Sequence, residues 1–340
     1  MPVRRLTRKA EAWFARHQRA LPWRASYDPY RIWVSEVMLQ QTRMEVVLPR
    51  YQDFVTRFPT LRTLAAAGEE EVTAAWSGLG YYRRARMLRQ GAMAVVERFA
   101  GQLPGDVSVL QTISGIGRYT AGAIASIAYD QPAPIVDGNI MRITARLFAI
   151  NAPLRSTGLA RQAWKHAEEL VKAAKSPRVF NQALMEIGAL ICRPRNPLCG
   201  ECPLRRDCAA FARGKVEQYP RKAQSKPTRM MRIPLYLIVD GKGRVLMRRE
   251  SGPLMDGMFH LPHGNHSLIR GSRIASRGSR RVGTFRHTIT NRRITFEVFI
   301  SSRPASRDLR AAMWIHPREL SEFPHPSYVR KALQLAGMIG

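Results

Sequence analysis

The chain has 340 residues, a length that suggests two domains, and 45% of them are hydrophobic, enough to build a core in each. That composition excludes disordered, collagen-like and coiled-coil classes. Lys and Arg number 55 against 25 Asp and Glu, a formal charge of +30. Such a charge repels itself in a compact fold and points to an anionic partner, nucleic acid first and an anionic membrane surface second. No apolar run approaches the roughly eighteen residues of a membrane span. The basic start lacks a following apolar core, so no secretory signal is expected.

Residues 1–212 carry mostly helix-period apolar patterns, and helices are expected over 30–47, 69–75, 83–99, 119–128 and 158–174. Within the first of these lies Ser35-Glu36-Val37-Met38-Leu39-Gln40-Gln41-Thr42. The helical neighbours of Glu36 are Ile32, Trp33, Leu39 and Gln40. An acid there is either at the margin of an apolar face or a carboxyl kept dry. Burial would raise its pKa and suit it to general acid work.

Further along, Ser114-Gly115-Ile116-Gly117-Arg118-Tyr119 joins two helical segments. Gly115 and Gly117 permit a tight turn and close backbone approach to an anion, as in a helix-hairpin-helix. The same pattern also serves as an ordinary turn. Asp137 follows the extended Pro134-Ile135-Val136 and precedes an apolar-periodic segment, where an N-cap is the plain expectation. A cap also fixes a carboxylate's direction, so capping and chemistry are compatible.

All four cysteines, Cys192, Cys199, Cys202 and Cys208, fall within seventeen residues. The clustering argues for a metal site rather than a disulfide framework. The spacing, with a single Cys-x2-Cys pair, places an iron–sulfur centre ahead of zinc without excluding zinc. Beyond a basic linker over 213–232, the pattern turns to strands. Residues 235–239 and 244–247 read as a hairpin about Asp240-Gly241-Lys242-Gly243, and 284–289 with 294–300 as a second strand pair. A closing helix is expected over 328–335.

These motifs stand together in one order. With Gly78-Leu79-Gly80-Tyr81-Tyr82 and Val136-Asp137-Gly138-Asn139, they resemble the helix-hairpin-helix DNA glycosylase superfamily, and within it the MutY-type adenine DNA glycosylases, over about residues 10–212. The tail resembles, more loosely, the Nudix-like recognition domain of that family, through residues 252–262, Phe285-Arg286-His287-Thr288 and Trp314. The acidic helix of Nudix hydrolases is not visible there, so pyrophosphate hydrolysis is not expected.

The resemblance implies a mainly α, two-lobed helix-hairpin-helix glycosylase fold with an iron–sulfur cluster loop, plus a C-terminal α+β Nudix-like domain. Residues 1–28 and 134–212 would form the cluster lobe and 29–133 the hairpin lobe. A linker over 213–232 would lead to a lesion-recognition domain over 233–340. The implied activity is base excision repair by a monofunctional enzyme that flips out and excises adenine mispaired with 8-oxoguanine or guanine.

In that reading Glu36 is the general acid and Asp137 stabilises the oxocarbenium-like sugar. Tyr119 stands where bifunctional relatives carry a Schiff-base Lys, and its phenol is expected to face Asp137 or the sugar. Arg24 and Gln182 fall at adenine-pocket positions, and Gln41 and Tyr81 at wedge positions. Thr42, Leu79, Gly115 and Gly117 fall among the DNA contacts. The four cysteines would hold one 4Fe–4S cluster. Ile289-Thr290-Asn291 aligns with a family Phe-Ser-His tip; Thr290 and Asn291 offer hydrogen bonds to the oxidised guanine and Ile289 an apolar wedge. The expected partner is double-stranded DNA carrying A·8-oxoguanine or A·G, met by a monomer in the cytoplasm at the nucleoid. Thymine excision from T·G on the same scaffold, and catalytically idle lesion binding, are the alternative readings.

Overall fold

The computed structural model describes residues 3–222, 228–250, 257–263, 279–289, 291–301 and 312–340. Thr290, residues 252–256 of the expected Nudix-like motif and residues 223–227 of the linker lie outside the described residues. Helices come first: α1 (Val3–His17), α2 (Pro29–Leu39), α3 (Met44–Arg57), α4 (Leu61–Ala66), α5 (Glu69–Ala75) and α6 (Arg83–Phe99). They continue with α7 (Val107–Leu110), α8 (Arg118–Ala123), α9 (Gly138–Leu147), α10 (Thr157–Lys172), α11 (Pro177–Leu190) and α12 (Ala209–Ala212). Strands β1 (Arg229–Ile238), β2 (Val245–Glu250), β3 (Met258–His260), β4 (Arg280–Ile289), β5 (Arg292–Ser301) and β6 (Ala312–Ile315) follow, and α13 (Ser327–Leu335) closes the chain. No helix among the described residues is long and apolar enough to cross a membrane.

Local chemistry sets the helix starts. Asp28 accepts from the Arg31 amide at 2.8 Å with Pro29 in the first turn, and Ser156 and Ser176 cap α10 and α11 in the same way. One boundary corrects the expected helix over 30–47. The chain leaves α2 after Leu39, Gln41 takes φ +58° and α3 starts at Met44. The Thr42 hydroxyl donates to the Leu79 carbonyl at 3.3 Å, a side-chain to backbone bond that competes with helix continuation.

The backbone forms two compact units. One comprises residues 1–41, 58–65 and 90–224. Its core gathers Leu6 and Phe14 of α1, Ile32 of α2, Ile140 and Ile143 of α9, Leu170 of α10, and Phe180 and Ile187 of α11. After α8 the helix widens into a π turn over Ile124–Ala128. Gly122 lets that helix approach the next segment closely, since a Cβ there would lie 2.2 Å from the Pro134 carbonyl oxygen. The extended stretch leading to Asp137 is thus seated directly against the helix that carries Tyr119.

The other unit comprises residues 42–57, 66–89 and 225–340. One sheet has the order β1-β5-β4, with β1 parallel to β5 and β5 antiparallel to β4; a second has the order β3-β2-β6. Ile294, Phe296 and Val298 alternate inward along β5 and meet Leu235, Leu237 and Tyr328 in the core. The β4–β5 pair forms as expected. The turn at 240–243 also forms, with Asp240 bonded to the Arg244 backbone, but its arms part into different sheets. β1 runs beside β5, and an antiparallel bridge between Val239 and Val245 joins the arms next to the turn. Within this unit the Tyr82 phenol donates to the His325 carbonyl at 2.7 Å, and Arg249 pairs with Glu70 at 2.7 Å.

Candidate active site

Three elements bring acid chemistry together in the first unit. Helix α2 buries nearly all round, so Glu36 has no wet side to turn to and is 4% exposed. From the start of α8, the Tyr119 phenol donates to Glu36 Oε2 at 2.7 Å. Burial pushes the Glu36 carboxyl up to about 7, and the charge of Asp137 adds to the rise; the Tyr119 bond and Arg24 pull it back. Tyr119 is itself driven well above the phenol range by burial and by the two carboxylates, so it stays a donor. The phenol's hydrogen bond goes to Glu36 where one to Asp137 was expected.

Asp137 caps α9, accepting from the Ile140 amide at 2.8 Å. Burial raises its pKa while that amide and Arg142 oppose the rise. The two carboxyls therefore feel each other's charge but have different surroundings, one against a phenol and one against a helix N-terminus.

A second cluster adjoins Glu36. Arg24, on the 3-10 turn Pro22–Arg24, donates from Nε to Gln182 Oε1 at 2.9 Å and from Nη2 to Glu186 Oε2 at 3.1 Å. Arg19 Nε meets Glu186 Oε1 at 2.6 Å. Burial acts against the Glu186 charge, but the two guanidiniums prevail and hold its carboxyl below the ordinary range. Arg24 and Gln182 thus meet through this hydrogen bond, with the Arg24 charge acting on Glu36. Glu186 and Arg19 were missed; the available signal was the position of Glu186 one helical turn beyond Gln182.

The hairpin is formed by α7 and α8, with Gly115 at φ +83°, a region other residues enter only under strain, and Gly117 extended at the N-cap of α8. Gln41, which ends the first segment of this unit, is exposed at φ +58°. In the second unit, Tyr81 takes φ +48° and is 50% exposed, between Gly80 and the buried Tyr82. Arg84 donates to Thr42 Oγ1 and to the Leu79 and Gly80 carbonyls, tying Thr42 and Leu79 to this loop. The Asn291 carbonyl accepts from the Arg229 amide, and the half-buried Ile289 packs partly against the core.

Cys192, Cys199, Cys202 and Cys208 all line one small cavity with Arg146, Ile191 and Phe211. Among the described residues no three His, Cys, Asp or Glu side chains converge closely enough to hold a single ion. Four thiols around a cavity fit a polynuclear centre. Burial and mutual repulsion push the Cys202 thiol up to about 12 and raise Cys199 and Cys208, so a strongly cationic group is needed to hold them as thiolates. The donor set fits an iron–sulfur cluster.

The HhH-GPD superfamily of base excision DNA repair proteins matches residues 34–169, and the iron–sulfur binding domain of endonuclease III matches residues 192–208. The adenine DNA glycosylase of Rattus norvegicus is 33% identical over 375 aligned positions, covering 89% of this chain and 72% of the rat protein. The chain belongs to the adenine DNA glycosylase family. Its Mus musculus member is 46% identical over 211 residues, 59% of this chain; the chain spans only 41% of that relative's length. Among solved structures, a thermostable thymine-DNA glycosylase is 26% identical with a TM-score of 0.55, covering 62% of this chain and 97% of its own. Family membership accounts for the helix-hairpin-helix fold and for the iron–sulfur loop that ends at Cys208.

Proposed function

We propose that this chain removes adenine from A·8-oxoguanine and A·G mispairs in duplex DNA by hydrolysing the N-glycosidic bond, leaving the strand intact. The observation that carries the proposal is the Glu36 carboxyl, enclosed, bonded to Tyr119 and raised to about 7 beside a second carboxyl. A proton donor near neutral pH is what departure of a poorly leaving base requires.

Adenine must leave the stack to reach an enclosed acid. Protonated Glu36 gives its proton to the adenine ring, so the base departs neutral as the bond to the sugar breaks. Asp137, ionised, faces the positive charge that develops on the sugar, and water adds there, as in two-carboxylate glycosidases. Tyr119 cannot form a Schiff base, so no lyase step follows. Arg24 and Gln182 border the acid and would line the adenine pocket. The roles of Gln41, Thr42, Leu79, Tyr81, Gly115 and Gly117 in gripping and wedging the duplex rest on the family resemblance. So do the 4Fe–4S nuclearity, the lobes over 1–28 with 134–212 and over 29–133, and a Nudix-like lesion reader over 233–340 that uses Thr290 and Asn291.

The test is incubation with end-labelled duplexes carrying A·8-oxoguanine, A·G or T·G, with and without alkali. Breaks only after alkali, and only at adenine, are expected. Breaks at T·G would transfer the assignment to thymine excision. Breaks without alkali would remove the monofunctional reading, and binding without any release would make the chain a lesion-binding protein.

A further inference from the structure

Arg146 is a buried cation with no carboxylate to answer it. It lies on α9, the helix Asp137 caps, and is 2% exposed. Among the described residues no Asp or Glu pairs with it. Its hydrogen bonds go to backbone carbonyls and one sulfur. Nε donates to the Val216 and Tyr219 carbonyls at 3.1 and 3.0 Å, and Nη2 to the Pro194 carbonyl at 3.3 Å. Nη1 donates to the Arg193 carbonyl at 2.8 Å and to Cys192 Sγ at 3.3 Å.

Carbonyl dipoles solvate a guanidinium but do not neutralise it, and an uncompensated buried charge is strongly unfavourable. The missing negative charge has one evident source, the cavity that Arg146 lines together with all four cysteines. As an iron ligand the Cys192 sulfur would carry negative charge, and the bond from Nη1 would be charge-assisted.

We infer that Arg146 is the counter-charge of the iron–sulfur site and holds the bound cluster against one-electron oxidation. The inference rests on the iron–sulfur assignment made above. Loss of an electron leaves the site one charge more positive beside a cation in a low-dielectric interior, so the guanidinium raises the potential at which that electron leaves. Hydrogen bonding to the sulfur acts in the same direction, because it withdraws electron density from the ligand. A protein that must keep its cluster under oxidising conditions gains from that placement. The role differs from that of Arg205, which lines the same cavity but is exposed and screened by water.

The test uses the anaerobically purified, iron-loaded chain titrated with ferricyanide, a one-electron oxidant that takes one electron per cluster. Visible absorbance and electron paramagnetic resonance follow the reaction in wild type, Arg146→Met, Arg146→Lys and Arg205→Met. Arg146→Met is expected to shift the equilibrium at least tenfold toward the oxidised cluster, a potential about 59 mV more negative, with faster iron release. Arg146→Lys should fall between it and wild type, and Arg205→Met within about threefold of wild type. An unchanged potential in cluster-loaded Arg146→Met overturns the inference.

Should Arg146→Met fail to retain iron, the wild-type protein decides the question. With arginine labelled by ¹⁵N in the guanidinium, the paramagnetic cluster should show a nitrogen coupling that persists in Arg205→Met, and its absence overturns the inference. Stoichiometric zinc in place of iron would remove the iron–sulfur assignment and the inference with it.

Discussion

Tyr119 donates its phenolic proton to Glu36 Oε2 across 2.7 Å, joining residues on α8 and α2 inside one core. Burial pushes the Glu36 carboxyl up and the phenol pulls it down, and the balance near 7 leaves it partly protonated at neutral pH. Tyr119→Phe removes the downward pull. The alkaline limb of single-turnover adenine release should then move to higher pH, while the plateau falls because the acid is no longer oriented. A pH–rate profile of wild type and variant checks this, and an unmoved limb would mean that the phenol does not set the acid's pKa.

The same burial has a stability cost of known sign. A carboxyl whose folded pKa lies above its unfolded one contributes stability below the unfolded value and loses it as pH rises through the folded value. The cost of Glu36 to the fold therefore grows between about pH 4.5 and 7 and persists at higher pH. Glu36→Gln should relieve this, gaining relative to wild type as pH rises, by roughly 3 kcal/mol at pH 8 as an upper bound. Urea unfolding at pH 5 and pH 8 measures it, and equal differences at both pH values would show that the carboxyl is not desolvated.

Asp137 combines a cap and a charge, and two substitutions separate them. Asn is as good an N-cap as Asp, so Asp137→Asn should keep thermal stability within about 0.5 kcal/mol while losing adenine release by orders of magnitude. Asp137→Ala should also lose the cap, at about 1 kcal/mol. Calorimetry paired with single-turnover rates distinguishes the two. Wild-type turnover by Asp137→Asn would leave Asp137 a structural cap.

Glu186 anchors Arg19 and Arg24. Glu186→Gln leaves two guanidiniums facing a neutral amide, that of Arg24 only 10% exposed, and should cost about 2–4 kcal/mol, reduced by the partial exposure of Arg19. Because the Glu186 pKa is depressed, its contribution is present above the unfolded carboxyl range and lost as pH falls through the depressed value. The gap between wild type and variant should narrow in acid. A gap constant with pH would assign the loss to packing rather than charge.

The sequence made some of this legible for local reasons. Glu36 is recognisable because an acid among Ile32, Trp33 and Leu39 contradicts its helix face, and Asp137 because a cap precedes an apolar-periodic run. The Tyr119 partner was not legible, since residues 83 apart meet only through packing of α2 on α8. Glu186 looked like an ordinary polar helix position until its two arginines were seen. The β4–β5 pair was legible, but β3, β6 and the partner of β1 were not. Hairpin signals describe neighbours, whereas the parallel register of β1 with β5, Leu235 opposite Val298, is set by a shared apolar face. Arg146 was invisible for a related reason. Nothing local distinguishes a buried arginine from the many exposed ones in a chain of charge +30.

The central claim is that Glu36 delivers the proton that releases adenine. Its most direct test is single-turnover release from an A·8-oxoguanine duplex by wild type and Glu36→Gln between pH 5 and 9, with duplex affinity measured alongside. Wild type should lose rate through a transition near pH 7, and Glu36→Gln should be slower by roughly 10²–10⁴-fold with binding retained and that transition gone. Near-normal release by Glu36→Gln, or the same transition persisting in it, would contradict the account.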